Sequence, residues 1–94
     1  MKGVNYSLLN APMPEVARFY GIVIKVFFGD HPSPHFHAIY GEYNALVDIA
    51  SLQIIEGDLP GRAQKLVLEW ALLYQQDLLQ MWDTQEFRRL PPLK

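Results

Sequence analysis

The chain has 94 residues, half of them hydrophobic and 13% aromatic, with a formal net charge of -2 and no cysteine. One folded domain is expected at this length and composition, and the dispersed basic residues disfavour generic nucleic-acid binding, which needs a dense basic patch. The lack of cysteine excludes disulfides and thiolate chemistry and favours the cytoplasm, and we find no signal-peptide or membrane-spanning segment.

β-Branched and aromatic runs predict a sheet in the first part of the chain. Gly21 separates the first two runs, Gly41 falls in a short hairpin connection, and Gly57 ends the last run. The predicted strands cover residues 16–20, 22–28, 36–40, 44–50 and 52–56.

A long helix is predicted after the sheet, from about residue 59 to between 82 and 87. Asp58 is a good N-cap residue, and Pro60 is tolerated in a first helical turn. A spacing of about 100° per residue gives one broad apolar face for packing on the sheet, on which Trp70 should be more deeply buried than Trp82. The face comprises Ala63, Leu66, Val67, Trp70, Ala71, Leu73, Tyr74, Leu78, Met81 and Trp82. The predicted fold class is α+β, a four- or five-stranded, mainly antiparallel sheet with this helix packed on one face.

Two features of the helix do not fit a single packing face. Leu68, Leu72 and Leu79 fall in a second stripe, which is either ordinary exposed leucine or a surface for a homodimer or a protein partner. Asp77 falls inside the apolar face. Such a carboxylate must be hydrogen-bonded, paired with a cation, or placed at the rim where water reaches it.

All three histidines of the chain lie in the segment D-H-P-S-P-H-F-H at residues 30–37. The prolines bias the residues before them towards extended backbone, so the segment should lead directly into the third strand. Because alternate strand residues share a face, His35 and His37 should lie together, with Lys25 and Asp48 on the same uncovered face of the sheet.

The motifs resemble domain of unknown function family 4160, a bacterial family, over about residues 13–94. The pieces are M-P at 13–14, R-F-Y-G-I-V-I at 18–24, the histidine segment, Y-G-E-Y at 40–43, L-P at 59–60, L-E-W at 68–70 and L-L-x-x-W at 78–82. Residues 1–12 are expected to be an N-terminal extension. The resemblance implies no established activity. Since proteins of this kind are often encoded beside a second short protein, it implies a toxin–antitoxin-like module of two genes.

Three interpretations of the histidines remain open. They are architectural, they bind a metal, or they are catalytic. In the metal interpretation, His35 and His37 bind zinc or nickel, with His31 or Asp30 as a third ligand.

In the catalytic interpretation, His35 and His37 act as general base and general acid on an RNA phosphodiester. Lys25 or Arg18 would then stabilise the charged transition state.

From the resemblance, we expect a protein-binding or regulatory component of a two-gene module. The alternative is a histidine-dependent ribonuclease or a metal-dependent hydrolase.

Overall fold

A computed structural model describes residues 14–26 and 33–94. Within these residues, five strands form one antiparallel sheet in sequential order and one long helix follows them, which confirms the predicted α+β fold. The elements are β1 (Glu15–Phe19), β2 (Ile22–Lys25), β3 (His35–Tyr40), β4 (Tyr43–Asp48), β5 (Ile54–Gly57) and α1 (Gly61–Thr84). The predicted continuation of the second strand to residues 27–28 lies outside the described residues.

Two sites in the sheet depend on left-handed backbone. Tyr20 and Gly21 form the connection between β1 and β2, and both have positive φ angles, of 50° and 81°. Two-residue hairpin turns with this geometry match the twist of the flanking strands. Gly57 has a φ of 74°, and a Cβ there would collide with the backbone oxygen of Asn44, so β5 can pair this closely with β4 only through glycine.

The beginning of α1 differs from the prediction. Pro60, with a φ of -56° and a ψ of 149°, occupies the N-cap position and provides no side-chain cap. The backbone N–H of Asp58 donates to the Asn44 oxygen at 3.3 Å, so the chain at Asp58 is still held beside β4. The predicted Asp58 cap is therefore wrong, because the helix cannot begin until the chain has left the sheet.

The core lies between one face of the sheet and α1. Trp70 is completely buried, whereas Trp82 is 9% exposed, as the sequence predicted. The Trp70 ring lies 5.6 Å from that of Phe19 and 6.0 Å from that of Phe36, measured between centroids. Trp70 thus connects the helix to strands β1 and β3.

Residues 85–94 return along the outer edge of β1. The Leu90 N–H donates to the Val16 oxygen at 2.7 Å, and Arg89 pairs with Glu15 at 2.9 Å. Further along, the Pro91 oxygen accepts a hydrogen bond of 2.8 Å from the Trp70 indole. The C-terminal segment therefore covers one edge of the sheet and is tied to the core.

The helix surface also differs from the prediction. Leu73 was expected on the packing face but is 65% exposed, because it lies roughly 110° around the helix from the mean direction of the buried Val67, Trp70 and Ala71. The covered face is narrower than predicted. Among the described residues, no helix has the length and apolar content needed to cross a membrane.

The predicted leucine stripe is not one separate surface. Leu68 and Leu79 are half-buried and pack against the core, whereas Leu72 is 67% exposed. Asp77 is half-buried, and its carboxylate pairs with Arg88 at 2.9 Å. It therefore has both a position at the rim and a cationic partner.

Candidate functional site

The histidine end of the sheet, defined here as Lys25, His35, His37 and Asp48, brings together the polar side chains that the sequence assigns to one face. In the register of the strands, His37 is directly opposite Lys25 on β2, and His35 is directly opposite Asp48 on β4. Directly opposed residues of antiparallel strands project to the same side. The rings of His35 and His37 are 5.5 Å apart in an edge-to-face arrangement.

His35 is completely buried, so the prediction that it lies on an uncovered face of the sheet is wrong, because the end of α1 packs on it. Its ring lies 4.9 Å from the ring of Trp82 near the end of α1. Its Nδ1 atom is 2.7 Å from the backbone oxygen of Ser33, and because a carbonyl oxygen can only accept, this hydrogen bond requires the proton on Nδ1. These contacts fix the ring within the packed structure, which suits an architectural role.

His37 has a different environment. It is half-buried and lines an open cleft of about 260 Å³ together with Asn44, Leu46, Glu56 and Gly57. Sequence analysis did not select Asn44 or Glu56. Knowledge of the strand register would have indicated Glu56, because it lies opposite Leu46, which in turn lies opposite His37.

The other predicted polar residues of this end are held by specific partners. The Asp48 carboxylate accepts a 2.7 Å hydrogen bond from the Ser51 N–H, within the turn that leads to β5. Arg18 lies opposite Val23 and binds the Glu15 carboxylate through two nitrogens, at 2.7 and 3.1 Å. The structure thus places Lys25 beside His37 and does not place Arg18 there.

Glu15 is bound by two arginines. Arg18 and Arg89 both donate to its carboxylate, and these hydrogen bonds and charges lower the pKa of Glu15 to about 2. Ionised Glu15 therefore joins the C-terminal segment to β1 near the histidine end.

The structure describes only two of the four residues named in the metal prediction. Asp30 and His31 lie outside the described residues, whereas His35 and His37 start β3. Within residues 14–26 and 33–94, no three histidine or acidic side chains are grouped so as to hold a metal ion. The zinc or nickel site stays a prediction.

The opposite end of the sheet, the tyrosine end, is formed by Tyr20, Tyr40 and Tyr43. Their exposed fractions are 57%, 37% and 40%, respectively. Tyr40 and Tyr43 are paired across the connection between β3 and β4, and Tyr40 is also opposite Ile22, next to the turn that contains Tyr20. Three exposed tyrosines therefore lie at the same end of the sheet.

An open cleft of about 250 Å³ lies at the tyrosine end, beside the start of α1. It is lined by Tyr20, Ile22, Tyr40, Arg62, Ala63 and Leu66. Arg62 is exposed and forms no ion pair within the part of the chain that the structure describes. Sequence analysis missed this cleft, because its residues come from three distant segments and share no local motif.

The fold and its two ends define a small α+β domain with an aromatic surface at one end and a half-exposed histidine at the other. The family model described as Domain of unknown function (DUF4160) matches residues 21–83, more than half of the chain, so the chain belongs to this family. The match confirms the resemblance and includes His35, His37, Tyr40, Tyr43 and Arg62. No curated protein and no solved structure matches the chain.

Proposed function

We propose that this protein is a cytoplasmic protein-binding component of a toxin–antitoxin-like module of two genes, and that its partner binds the tyrosine end. The observation that carries the proposal is the pair of exposed tyrosines, Tyr20 and Tyr40, that line a cleft together with Arg62, with the exposed Tyr43 paired to Tyr40 beside it. Tyrosine and arginine are enriched among residues that contribute most to protein–protein binding. The resemblance to proteins encoded beside a second short protein supports the neighbouring gene product as the partner.

The backbone of Tyr20 supports the same conclusion. Its φ of 50° lies in the left-handed region, which is unfavourable for a bulky residue, and its side chain is 57% exposed. An exposed ring in strained backbone contributes little to the core. Such strain commonly marks residues retained for function.

The contrast with the histidine end favours protein binding over catalysis. Acid–base catalysis by two histidines requires that both imidazoles reach the substrate. His35 is completely buried against Trp82, whereas His37 is half-buried beside an open cleft. This arrangement supports a structural role for His35.

Calorimetry with the purified product of the adjacent gene tests the proposal. We expect wild-type protein to bind it, and Tyr40→Ala and Tyr20→Gly each to weaken binding by about tenfold or more, as hot-spot residues do. Ile55→Ala is the matched control, because Ile55 is 49% exposed, within the range of the two tyrosines, and lies on β5 outside the residues that line the cleft. Leu72→Ala separately tests the outer surface of α1. Absence of wild-type binding would overturn the proposal. Loss of binding in Leu72→Ala alone would move the interface to the helix.

A second candidate function is a hydrolase that uses His37, on RNA or with a bound metal. It is favoured by the cleft that His37 shares with Glu56, and by Lys25 directly opposite His37. His37 would exchange a proton with the substrate, and Lys25 would stabilise developing negative charge.

Turnover of an RNA oligonucleotide tests this second function. Activity should disappear in His37→Ala and Lys25→Ala but persist in Arg18→Ala. For the metal form, calorimetry should show about one equivalent of zinc or nickel bound by the wild type and none by His37→Ala. No turnover and no heat would remove this candidate.

A further inference from the structure

We infer that the tyrosine-end cleft binds an aromatic or large aliphatic side chain that lies next to a carboxylate, presented by an acidic segment of a partner protein. The inference rests on the proposed function and names the chemistry that the partner must carry. It depends on the size, the exposed aromatic rings and the charge of the cleft.

The size of the cleft limits its occupant. At about 250 Å³, it is smaller than the roughly 300–1,000 Å³ of pockets that enclose drug-sized ligands or cofactors. One large side chain is a suitable occupant. Because the cleft is open, the residues that flank this side chain in a partner would stay at the surface.

The lining selects an apolar group. Tyr20 and Tyr40 contribute exposed aromatic rings on which a planar group can stack, and the half-buried Leu66 adds aliphatic surface, whereas Ile22 and Ala63 are buried beneath the cleft. The Tyr40 ring lies beside Gly21, 3.4 Å from the position that a Cβ would occupy there. Burial of apolar surface against these residues would provide the main favourable free energy.

The charge selects a carboxylate beside the apolar group. Arg62 is the charged residue among those that line the cleft, and no carboxylate lines it within the described chain. Arg62 lies in the first turn of α1, which contains no acidic residue and has no side-chain cap. The positive end of the helix dipole therefore adds to the arginine charge. A guanidinium group also binds a carboxylate with two parallel hydrogen bonds.

A protein segment fits these features better than a nucleic acid. A net charge of -2 repels a polyanion over the whole molecule, whereas one or two carboxylates need only the local charge of Arg62. A nucleotide is also larger than a single side chain. Binding of single-stranded RNA at this cleft would be the contrary result.

Two small probes separate the apolar contribution from the charge. N-acetyltryptophan and N-acetyltryptophanamide share the indole, but only the first has a carboxylate. In titrations followed by ¹⁵N–¹H spectra, both should shift the amide signals of residues 20–22, 40 and 62–66. The acid should bind about twofold to fivefold more tightly than the amide, as expected for one exposed ion pair.

Variants then assign this difference to Arg62. Arg62→Gln should remove most of the preference for the acid and leave only the small contribution of the helix dipole, whereas Lys65→Gln, an equal charge change at an exposed position outside the cleft, should leave the preference intact. Equal binding of both probes to the wild type, or shifts located elsewhere, would overturn the inference.

The result with the full partner distinguishes this inference from the proposed function. If the adjacent gene product binds, depends on Tyr40 and ignores Arg62→Gln, the proposed function holds and the carboxylate preference is wrong. If no partner binds but the probes behave as expected, the proposed function is wrong and the ligand chemistry holds. If an RNA oligonucleotide binds and competes with the probes, the occupant of the cleft is a nucleic acid and the inferred acidic segment is wrong.

Discussion

The two ends of the sheet differ in the exposure of their side chains, and the positions of these residues in the sequence do not indicate the difference. The three histidines are neighbours in the chain, yet the fold buries His35 completely and leaves His37 half-exposed. Tyr20 lies twenty residues before Tyr40, yet the fold brings the two together at an exposed cleft. Proximity in sequence therefore indicates little about which side chains can meet a partner. The strand register and the position of the helix determine which side chains are exposed to a partner.

The helix and the C-terminal segment explain the difference. At the histidine end, Trp82 covers His35, and Arg89 and Leu90 fasten the returning chain to Glu15 and Val16. At the tyrosine end, α1 only begins, with the small Gly61 and Ala63 and the exposed Arg62. Large packed groups therefore cover His35, whereas small side chains of α1 leave the cleft beside Tyr20 and Tyr40 open.

The largest expected effect is that of Trp70→Ala, which removes the side chain that joins the two ends. Because Trp70 is completely buried and its indole N–H donates to Pro91, we expect a loss of about 3–5 kcal/mol in the free energy of unfolding. Urea denaturation followed by circular dichroism measures it. Trp70→Phe is the milder comparison, since it keeps much of the ring. A loss below about 1 kcal/mol for the alanine variant would contradict the described core.

The next largest effect separates the two histidines. His35→Ala should cost about 2–4 kcal/mol, because it opens a cavity beside Trp82 and leaves the Ser33 oxygen without its imidazole donor. His37→Ala should cost about 1 kcal/mol or less, since His37 is half-buried beside an open cleft. Thermal melts of the two variants test this. Equal losses would show that both histidines are architectural.

Much of the fold follows from local patterns in the sequence. The strand runs, the glycines between them and the apolar spacing of the helix are local signals, and they predicted the elements and the α+β class. The helix cap was not predictable in this way, because Asp58 is held by a hydrogen bond to Asn44 of β4. Leu73 was misplaced because an apolar pattern gives a direction on the helix but not the width of the surface that the sheet covers.

The candidate sites show the same limit. Alternation along strands was enough to place His35, His37, Lys25 and Asp48 on one face, because period-two geometry is local. It could not show that Trp82, 47 positions further along the chain, packs on His35. The tyrosine cleft required the pairing of three segments, and only the long-range structure provides that pairing.

A third prediction concerns pH and the histidine end. The pKa of Glu15 is lowered to about 2 by Arg18 and Arg89, so its ionised form stabilises the fold. This stabilisation is fully present above the ordinary value of 4.5 and is lost as the pH falls through about 2. The difference in unfolding free energy between wild type and Glu15→Gln should therefore be largest at neutral pH and shrink between pH 4.5 and 2. A difference independent of pH would contradict the ion pairs.

A smaller effect is expected on the outer surface of α1. Leu72 and Leu73 are each about two-thirds exposed, and we propose that this pair forms the contact of a homodimer. Leu72→Glu should change the free energy of unfolding by only about 0.5 kcal/mol, as exposed substitutions do, while converting a dimer to a monomer in light scattering. Wild-type protein that is monomeric at high concentration would exclude this contact.

The last prediction concerns Tyr20, where the change in stability has the opposite sign to that of the other variants. Tyr20→Gly should preserve or raise the free energy of unfolding, by up to about 1 kcal/mol. Glycine adopts the φ of 50° without steric cost, and the lost ring is 57% exposed. The same variant should lose partner binding. Stability should rise and partner binding should fall, because the ring of Tyr20 belongs to the proposed binding surface while its left-handed backbone is unfavourable for tyrosine.

A matched control separates the effect of the Tyr20 ring on partner binding from the effect of its backbone conformation. Gln85 has nearly the same left-handed conformation, with a φ of 58°, but lies at the opposite end of α1. Gln85→Gly should leave partner binding unchanged, so that a loss in Tyr20→Gly alone assigns binding to the aromatic side chain. If Tyr20→Gly is destabilised and still binds, the tyrosine is architectural. The comparison between the two ends would then reverse, because the exposed end would belong to the fold and His37 would be the group left for function.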